Sequence, residues 1–129
     1  MSERRIVNTE GAPAAIGPYS QAVIHGGLVW TAGQIPLDPA TGELVGQGDV
    51  VQQTEQVFKN LSAVLEAAGS SFAQALRCEV YLKDFADYAA VNKVYARFFG
   101  DEPPARVAIQ AAALPLNVSV EISCVAVVG

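Results

Sequence analysis

Arg106 and Glu121 are two charged side chains that stand among small residues in strand-like segments of this chain. Residues 103–110 and 118–124 alternate with a period of two, which is typical of half-buried β-strands. The guanidinium of an arginine is always charged and offers a planar fork of donors that matches a carboxylate. A carboxylate in mid-strand among small neighbours is not favoured without a purpose. The two side chains therefore indicate a site where a small ligand binds against the sheet.

The two segments are joined by residues 114–117, a length that suits a hairpin connection. If Ala113 faces Val118, the register puts Gln110 beside Glu121. Arg106 then lies about 13 Å farther along its strand, too far for a direct ion pair. One face of this predicted hairpin is a core face: Val107, Ile109, Ala111, Ala113, Val118, Val120, Ile122, Cys124, Ala126 and Val128. The other face carries small and polar residues: Arg106, Ala108, Gln110, Ala112, Ser119, Glu121 and Ser123.

The composition limits the partners of the protein. The length predicts a single domain over residues 1–129. Only 16% of the residues are charged, against about 25% in average domains. This low charge content predicts that further surface is buried in an oligomer. The net charge of −5 argues against nucleic acid, because a basic face supplies most of that affinity. No apolar run approaches the ~18 residues of a membrane span, and we expect a cytoplasmic protein.

The cysteines and the histidine also carry information. Cys78 and Cys124 lie in phase with apolar strand residues, so we expect both thiols to be buried and reduced. His25 is the single histidine and no Cys-x-x-Cys spacing occurs, so the sequence predicts no metal site. Neither Gly-x-Gly-x-x-Gly nor a P-loop is present, and we expect no cofactor.

Local signals predict four strands and a loop before the last two segments. Strands are expected at residues 4–9, 20–25 and 28–31, with a tight turn at Gly26-Gly27, and residues 34–48 form a long loop. A fourth strand is expected at residues 75–83. Its inward residues are Leu76, Cys78, Val80 and Leu82.

Two helices are predicted from capping residues and apolar periodicity. Asp49 caps a helix that runs to Ala68, and Asp84 caps a second helix that ends at Gly100. The apolar stripe of the second helix consists of Phe85, Tyr88, Val91, Tyr95, Phe98 and Phe99. The order β-β-β-α-β-α-β-β predicts an α+β fold with both helices packed on one face of the sheet.

Several motifs resemble one family. Residues 12–21 (APAAIGPYSQ), 31–36 (TAGQIP) and 81–85 (YLKDF) are followed by Val91-Asn92, Pro104-Ala105-Arg106 and Glu121, and together they resemble the signatures of the Rid (YjgF) family. These are reactive-intermediate deaminases, and the RidA-like branch is the most similar. The resemblance spans essentially the whole chain. It implies a chorismate-mutase-like α+β fold with a mixed sheet, assembled as a homotrimer with a ligand cleft between each pair of subunits.

The resemblance also implies an activity, the hydrolysis of 2-imino and 2-enamino acids to 2-keto acids and ammonia. The chain would then be a deaminase of the 2-iminobutanoate/2-iminopropanoate type. The family pattern assigns the substrate carboxylate to Arg106, the attacking water to Glu121 as general base, and closure of the cleft to Tyr19. A surface arginine, an ion-paired glutamate and a packing tyrosine are the alternative interpretations of these three positions.

Three further positions are carried over as substrate-binding residues. Gly33 would present its N–H group, Ala108 its backbone, and Asn92 its amide, although Asn92 in mid-helix could instead tie down a neighbouring loop. Two departures from the pattern matter, since Ala108 stands where many members have Cys and Ala32 where many have Ser. The missing thiol excludes a side-chain nucleophile at 108, whereas hydrolysis by activated water remains possible.

Two other functions are alternatives to the deaminase. A binding module could use the same Arg106 to sense a 2-keto acid without turnover, and the importance of Glu121 for rate distinguishes the two. A ribonuclease or RNA-binding function has been proposed for some relatives. The chain offers no basic patch with interleaved aromatic residues, which disfavours that third function.

Overall fold

The computed structural model describes residues 3–129, and its strands and helices follow the predicted order β-β-β-α-β-α-β-β. The strands are β1 (Arg5–Val7), β2 (Ala22–His25), β3 (Leu28–Thr31), β4 (Ala75–Leu82), β5 (Ala105–Gln110) and β6 (Val120–Val127). The helices are α1 (Val50–Ala67) and α2 (Tyr88–Phe99), and short 3-10 turns lie at Phe72–Gln74, Phe85–Asp87 and Pro115–Asn117. The predicted α+β class is confirmed.

The six strands form one mixed sheet in the order β1-β2-β3-β6-β4-β5. Strand β5 runs parallel to β4, and the other neighbouring strands are antiparallel. Both helices cover the same face, where α1 supplies fully buried residues such as Phe58 and Leu61 and α2 supplies Val91 and Val94. The opposite face of the sheet is uncovered. No helix in residues 3–129 is long and apolar enough to cross a membrane.

Local chemistry explains why α1 and the first hairpin form where the sequence predicts them. The Asp49 side chain accepts hydrogen bonds from the N–H groups of Val51 and Gln52, both at 3.1 Å, and so satisfies donors that the first turn leaves free. Gly26 and Gly27 have φ values of +62° and +79°, the left-handed pair that a two-residue hairpin turn requires. Both predictions are confirmed, with β1 and β2 shorter than expected.

The predicted hairpin between the last two strands is wrong. Strands β5 and β6 are not neighbours, because β4 lies between them. Helix α2 carries the chain across the sheet so that β5 joins β4 in parallel, with Cys78 opposite Arg106. The connection after β5 then passes over the end of β4, where the Ala111 N–H still bonds Leu82 O at 2.8 Å. It turns at Leu116 and Asn117, both with left-handed backbone, and β6 enters the gap between β3 and β4.

The faces of β5 are also inverted relative to the prediction. Arg106 lies on the helix-covered side with its partner Cys78, which is fully buried. Val107 and Ile109, predicted in the core, are 39% and 46% exposed on the uncovered side. The prediction is right for β6, whose Val120, Ile122, Cys124 and Ala126 are all buried. The alternation of the sequence shows which residues of a strand share a face. Which of the two faces lies under the helices depends on the strand with which it pairs.

Two smaller corrections concern Leu76 and Asp84. A β-bulge between Ala75 and Arg77 shifts the register against β6, and Leu76 is 48% exposed instead of inward. Asp84 caps the 3-10 turn Phe85–Asp87 by accepting from the Ala86 N–H at 2.9 Å, and α2 begins only at Tyr88. Gly100 ends α2 as predicted.

Cys78 and Cys124 face each other across β4 and β6 and are free thiols. Their exposed fractions are 0% and 2%. The prediction that both cysteines are buried is confirmed. They lie in the main core together with residues of both helices.

The long loop at 34–48 is held to α1 by buried amide side chains. Asn60 donates through Nδ2 to the carbonyl oxygens of Ile35 and Leu37, at 3.2 and 2.9 Å. Gln53 donates to Gly46 O at 3.0 Å and accepts from the Ser119 N–H at 2.8 Å. Because buried carbonyl groups without partners are costly, these amides fix the loop on the helix.

Replacing Asn60 by Ala should therefore lower the free energy of unfolding by about 2 kcal/mol, since the Leu37 carbonyl loses its donor and the Ile35 carbonyl keeps only the Leu37 N–H. Urea denaturation followed by circular dichroism measures the change. Lys59→Ala, at the neighbouring exposed position of the same helix, is the matched control and should stay within about 0.5 kcal/mol of the parent. Equal stability of the Asn60 variant and the parent would contradict the anchoring role.

Candidate active site

A cavity of about 260 Å³ opens where β3 ends and β6 begins, in the middle of the sheet. Its walls combine an aromatic ring, a carboxylate and apolar side chains: Ile16, Tyr19, Ala32, Gly33, Ile35, Pro115 and Glu121. Three of the residues predicted from the sequence, Tyr19, Gly33 and Glu121, thus meet in one cavity. The cavity is of a size that suits a small ligand.

Glu121 packs directly against the backbone of Gly33. A β-carbon at position 33 would overlap the Glu121 carboxylate and would stand 2.9 Å from its Cδ atom. Glycine at 33 therefore makes room for the carboxylate, which is the close approach that glycine permits. The backbone is fixed here because Gln34 and Ile122 exchange N–H···O bonds of 2.8 and 3.2 Å. The Gly33 N–H itself makes no hydrogen bond to another described residue.

Burial of the Glu121 side chain raises its pKa above the ordinary value for a glutamate. The cause is desolvation, which disfavours the charged form. Within residues 3–129 no donor hydrogen-bonds the carboxylate. A half-buried carboxyl group with a raised pKa accepts a proton more readily than an ordinary glutamate does.

Tyr19 stands at the rim of the cavity and is 48% exposed. Its hydroxyl accepts a hydrogen bond from the Ile16 N–H at 3.3 Å, so the ring closes back over its own loop. The Tyr19 N–H also bonds Gly17 O at 2.8 Å in a tight turn. The loop, and not the core, thus determines where the ring lies.

Gln21 is a supporting residue whose role the sequence did not reveal. It is 3% exposed, and its Oε1 atom accepts from the Thr9 N–H at 2.7 Å. Its Nε2 atom donates to the carbonyl groups of Thr9, Ala12 and Pro13. These bonds hold the segment that carries Tyr19. Gln53 and Asn60 were missed in the same way, and a polar amide on the buried stripe of a helix is the signal that could have found them.

Arg106 lies elsewhere, between β5 and α2. Its Nη1 atom donates to Asn92 Oδ1 and its Nη2 atom to the Tyr88 hydroxyl, both at 2.8 Å. The Cζ atom lies 5.4 Å from the centroid of the Tyr88 ring and 4.8 Å from that of Tyr95, within the range of cation–π attraction. Asn92 therefore supports the guanidinium instead of tying down a loop. Ala108 follows on the same side of β5 and packs against the core.

One chain does not bring Arg106 and Glu121 together. Glu121 is opposite Tyr81 in β4, which is opposite Ile109 in β5, three residues from Arg106. Strand spacings put the two Cα atoms roughly 14 Å apart. The side chains also point to opposite faces of the sheet. The shared polar face expected from the sequence is absent, and the described chain carries two separate groups: Tyr19, Gly33 and Glu121 on one side, Arg106, Asn92 and Ala108 on the other.

The fold is a mixed sheet with two helices on one face. It carries a half-buried carboxylate in a small cavity and an arginine that is held by neutral groups. The profile of the family described as Endoribonuclease L-PSP matches residues 9–128. The chain belongs to this family, which is the Rid (YjgF) family that the sequence motifs indicate. The chorismate-mutase-like fold implied by that resemblance is confirmed by the structural neighbours.

Individual relatives are similar over nearly their whole length. A RutC family protein of Pyrococcus horikoshii is 50% identical over 123 residues, 95% of this chain and 97% of that protein. The 2-iminobutanoate/2-iminopropanoate deaminase of Capra hircus is 47% identical over 126 residues, 98% of this chain and 91% of the other. The crystal structure of E. coli TdcF with bound serine superposes with a TM-score of 0.91 at 40% identity, covering 97% and 99% of the two chains.

The raised pKa of Glu121 predicts a pH-dependent cost to stability. Below the ordinary pKa of a glutamate, about 4.3, the group is protonated in both the folded and the unfolded chain and costs nothing. As the pH rises through the window between the unfolded and folded pKa values, ionisation penalises the folded state, and the penalty is complete above the folded pKa. Glu121→Gln should therefore raise the melting temperature at pH 7 and leave it nearly unchanged at pH 4.

Scanning calorimetry at several pH values measures this difference. Glu10→Gln makes the same chemical change at an exposed position and serves as the control. A gain for Glu121→Gln that is as large at pH 4 as at pH 7 would show that desolvation of the carboxylate is not its source.

Proposed function

We propose that this protein is a hydrolytic deaminase that converts small 2-imino and 2-enamino acids into 2-keto acids and ammonia. One observation carries the proposal: Arg106 is half-buried, is held by Asn92 and Tyr88, and has no acidic partner within residues 3–129. Among the described residues the one salt bridge joins Arg97 and Glu55 at 2.8 Å. A half-buried guanidinium without a counterion is suited to a ligand that brings a carboxylate. The identity with the Capra hircus deaminase supports the same substrate class.

We further propose that the working unit is a homotrimer in which each cleft lies between two subunits. Arg106, Asn92 and Ala108 of one subunit would then face Tyr19, Gly33 and Glu121 of the next. The separation of these two groups within one chain supports this arrangement. The uncovered face of the sheet also exposes large apolar side chains, which is typical of surfaces buried on association. They include Trp30 at 52%, Ile109 at 46%, Val107 at 39% and Val127 at 37% exposure.

The chemistry needs no reactant besides water. Arg106 binds the substrate carboxylate and so brings the neighbouring imine carbon within reach of the water that Glu121 activates. Glu121 accepts a proton from the water that adds to this carbon. It passes this proton to the nitrogen, which gives a carbinolamine. The carboxylate then accepts the hydroxyl proton of the carbinolamine and delivers it to the nitrogen, so that the C–N bond breaks, the carbonyl forms and ammonia leaves. The Gly33 N–H and the Tyr19 ring close the other side of the cleft.

The environment of the site fits this proposal better than RNA cleavage, despite the description of the family. Binding an RNA backbone draws on several cations, and the chain has a net charge of −5. The cavity walls at Ile16, Ile35 and Pro115 are apolar and suit an aliphatic side chain. We place this activity in a single 129-residue domain acting in the cytoplasm, where the two free cysteines are stable.

Two substitutions separate substrate binding from chemistry. Glu121→Gln keeps the shape of the side chain but removes the base, so deamination of an imine generated in situ should fall roughly 100-fold or more. Its affinity for a 2-keto acid should stay equal or rise slightly, since a nearby like charge is lost. Arg106→Lys should instead weaken keto-acid binding roughly tenfold or more, because an ammonium cannot form the bidentate contact.

Both variants and the parent are compared by their steady-state deamination rates and by their calorimetric affinities for a 2-keto acid, on the same preparations. Full turnover by Glu121→Gln would remove Glu121 from the mechanism. Keto-acid binding by the parent protein with no turnover of any imine would favour a sensor in place of the enzyme. Parent-like affinity in Arg106→Lys would require another anchor for the carboxylate.

The shared cleft predicts that two inactive variants restore each other. The Arg106→Ala and Glu121→Gln chains are co-expressed with different tags. In randomly assembled trimers, about a quarter of the clefts then combine an intact Arg106 from one subunit with an intact Glu121 from the next. We therefore expect activity to return in the doubly tagged fraction, while each variant alone stays inactive. Light scattering should give a mass near three times 13.5 kDa. A monomer, or mixed oligomers without activity, would contradict the intersubunit cleft.

A further inference from the structure

Helix α2 presents three side chains to Arg106 from one face. Tyr88, Asn92 and Tyr95 are spaced by four and three residues, which places them along one stripe of the helix. Two of them are tyrosines, but they act differently. The Tyr95 ring packs under the guanidinium, and its buried hydroxyl has no hydrogen-bond partner in the described part of the chain. The Tyr88 hydroxyl accepts from Arg106 Nη2 at 2.8 Å.

Tyr88 contacts Arg106 on one side and the turn that precedes α2 on the other. The Phe85 ring stacks on it, with ring centroids 4.7 Å apart and planes inclined by 15°. The Phe85 N–H in turn donates to Gln110 Oε1 at 2.8 Å, and Gln110 lies on the same strand as Arg106. Strand β5, the turn Phe85–Asp87 and α2 thus form a closed series of contacts around the guanidinium. Tyr88 has little freedom to leave its position.

The partners of the guanidinium are neutral. A tyrosine hydroxyl and an amide oxygen orient the arginine through hydrogen bonds, whereas a carboxylate in their place would orient it and also cancel its charge. Two of the five N–H donors of Arg106 are used by Tyr88 and Asn92, and the others remain for a ligand. The arrangement fixes the direction of the positive charge without reducing it.

We propose that Tyr88 is a positioning residue for the reaction, acting through its hydroxyl on Arg106. It holds the guanidinium in the orientation in which the remaining donors meet the substrate carboxylate. The inference deepens the proposed function and depends on it for the identity of the ligand. Tyr88 makes no contact with the substrate itself, and its effect on turnover passes through Arg106.

Tyr88→Phe tests this directly, because it keeps the ring, its stacking on Phe85 and its cation–π contact, and removes only the hydroxyl. We expect the KM for the imine and the dissociation constant of a 2-keto acid to rise by a similar factor, roughly tenfold, the scale of a hydrogen bond to a charged group. The value of kcat should change much less, since Arg106 binds the carboxylate equally in the ground and transition states. Loss of kcat at constant KM would overturn the proposal.

A second measurement needs no ligand. The chain has five arginines, and Arg106→Lys identifies the signals of Arg106 in a ¹⁵N NMR spectrum. A held guanidinium rotates slowly and gives separate Nη signals. We expect such signals in the parent and in Tyr95→Phe, since the Tyr95 hydroxyl makes no hydrogen bond to any of residues 3–129. In Tyr88→Phe the signals should average. Separate signals that persist in Tyr88→Phe would overturn the positioning role.

The two tests fail independently. If the parent protein neither turns over imines nor binds 2-keto acids, the proposed function is wrong, and the NMR comparison still decides whether Tyr88 holds Arg106. If the parent is active and Tyr88→Phe has parent values of KM and of the dissociation constant, the inference is wrong while the function stands.

Discussion

Strand β6 joins the two parts of the sheet, because it hydrogen-bonds to β3 on one side and to β4 on the other. Its alternate residues from Val120 to Ala126 are buried under the helices. The residue between the first two of them, Glu121, faces the opposite side. Ile122 also exchanges two hydrogen bonds with Gln34 and thereby sets Gly33 against the carboxylate. A single strand therefore determines the centre of the core and the position of the acidic group.

The same insertion of β6 keeps the acidic and basic groups of one chain apart. With β4 between them, Glu121 and Arg106 neither neutralise each other nor share a face. Each is instead stabilised incompletely. The Glu121 carboxylate is desolvated and receives no hydrogen bond from the described part of the chain, and the Arg106 guanidinium donates to neutral acceptors. Natural folds accept such local costs at functional sites, where charge must remain available to a ligand.

Local signals predicted the helices and the first hairpin, because a capping aspartate at 49, a glycine pair at 26–27 and a helical period act within a few residues. The residues of the proposed site follow from the motifs of the family. Their arrangement does not, since a period of two does not say which strand pairs with which. A short link at 114–117 fitted a hairpin, while the parallel crossover through α2 decided the pairing. Long-range amide contacts such as those of Gln21 leave no local pattern.

The two buried cysteines have a practical consequence for spectroscopy. Thiol-directed labels react with an accessible thiolate, and the side chains of Cys78 and Cys124 are shielded from solvent. These are the two cysteines of the sequence. A single cysteine introduced on the surface can thus take up a fluorophore or spin label selectively under native conditions. The unaltered chain already serves as its own non-reactive background for distance measurements between labelled copies.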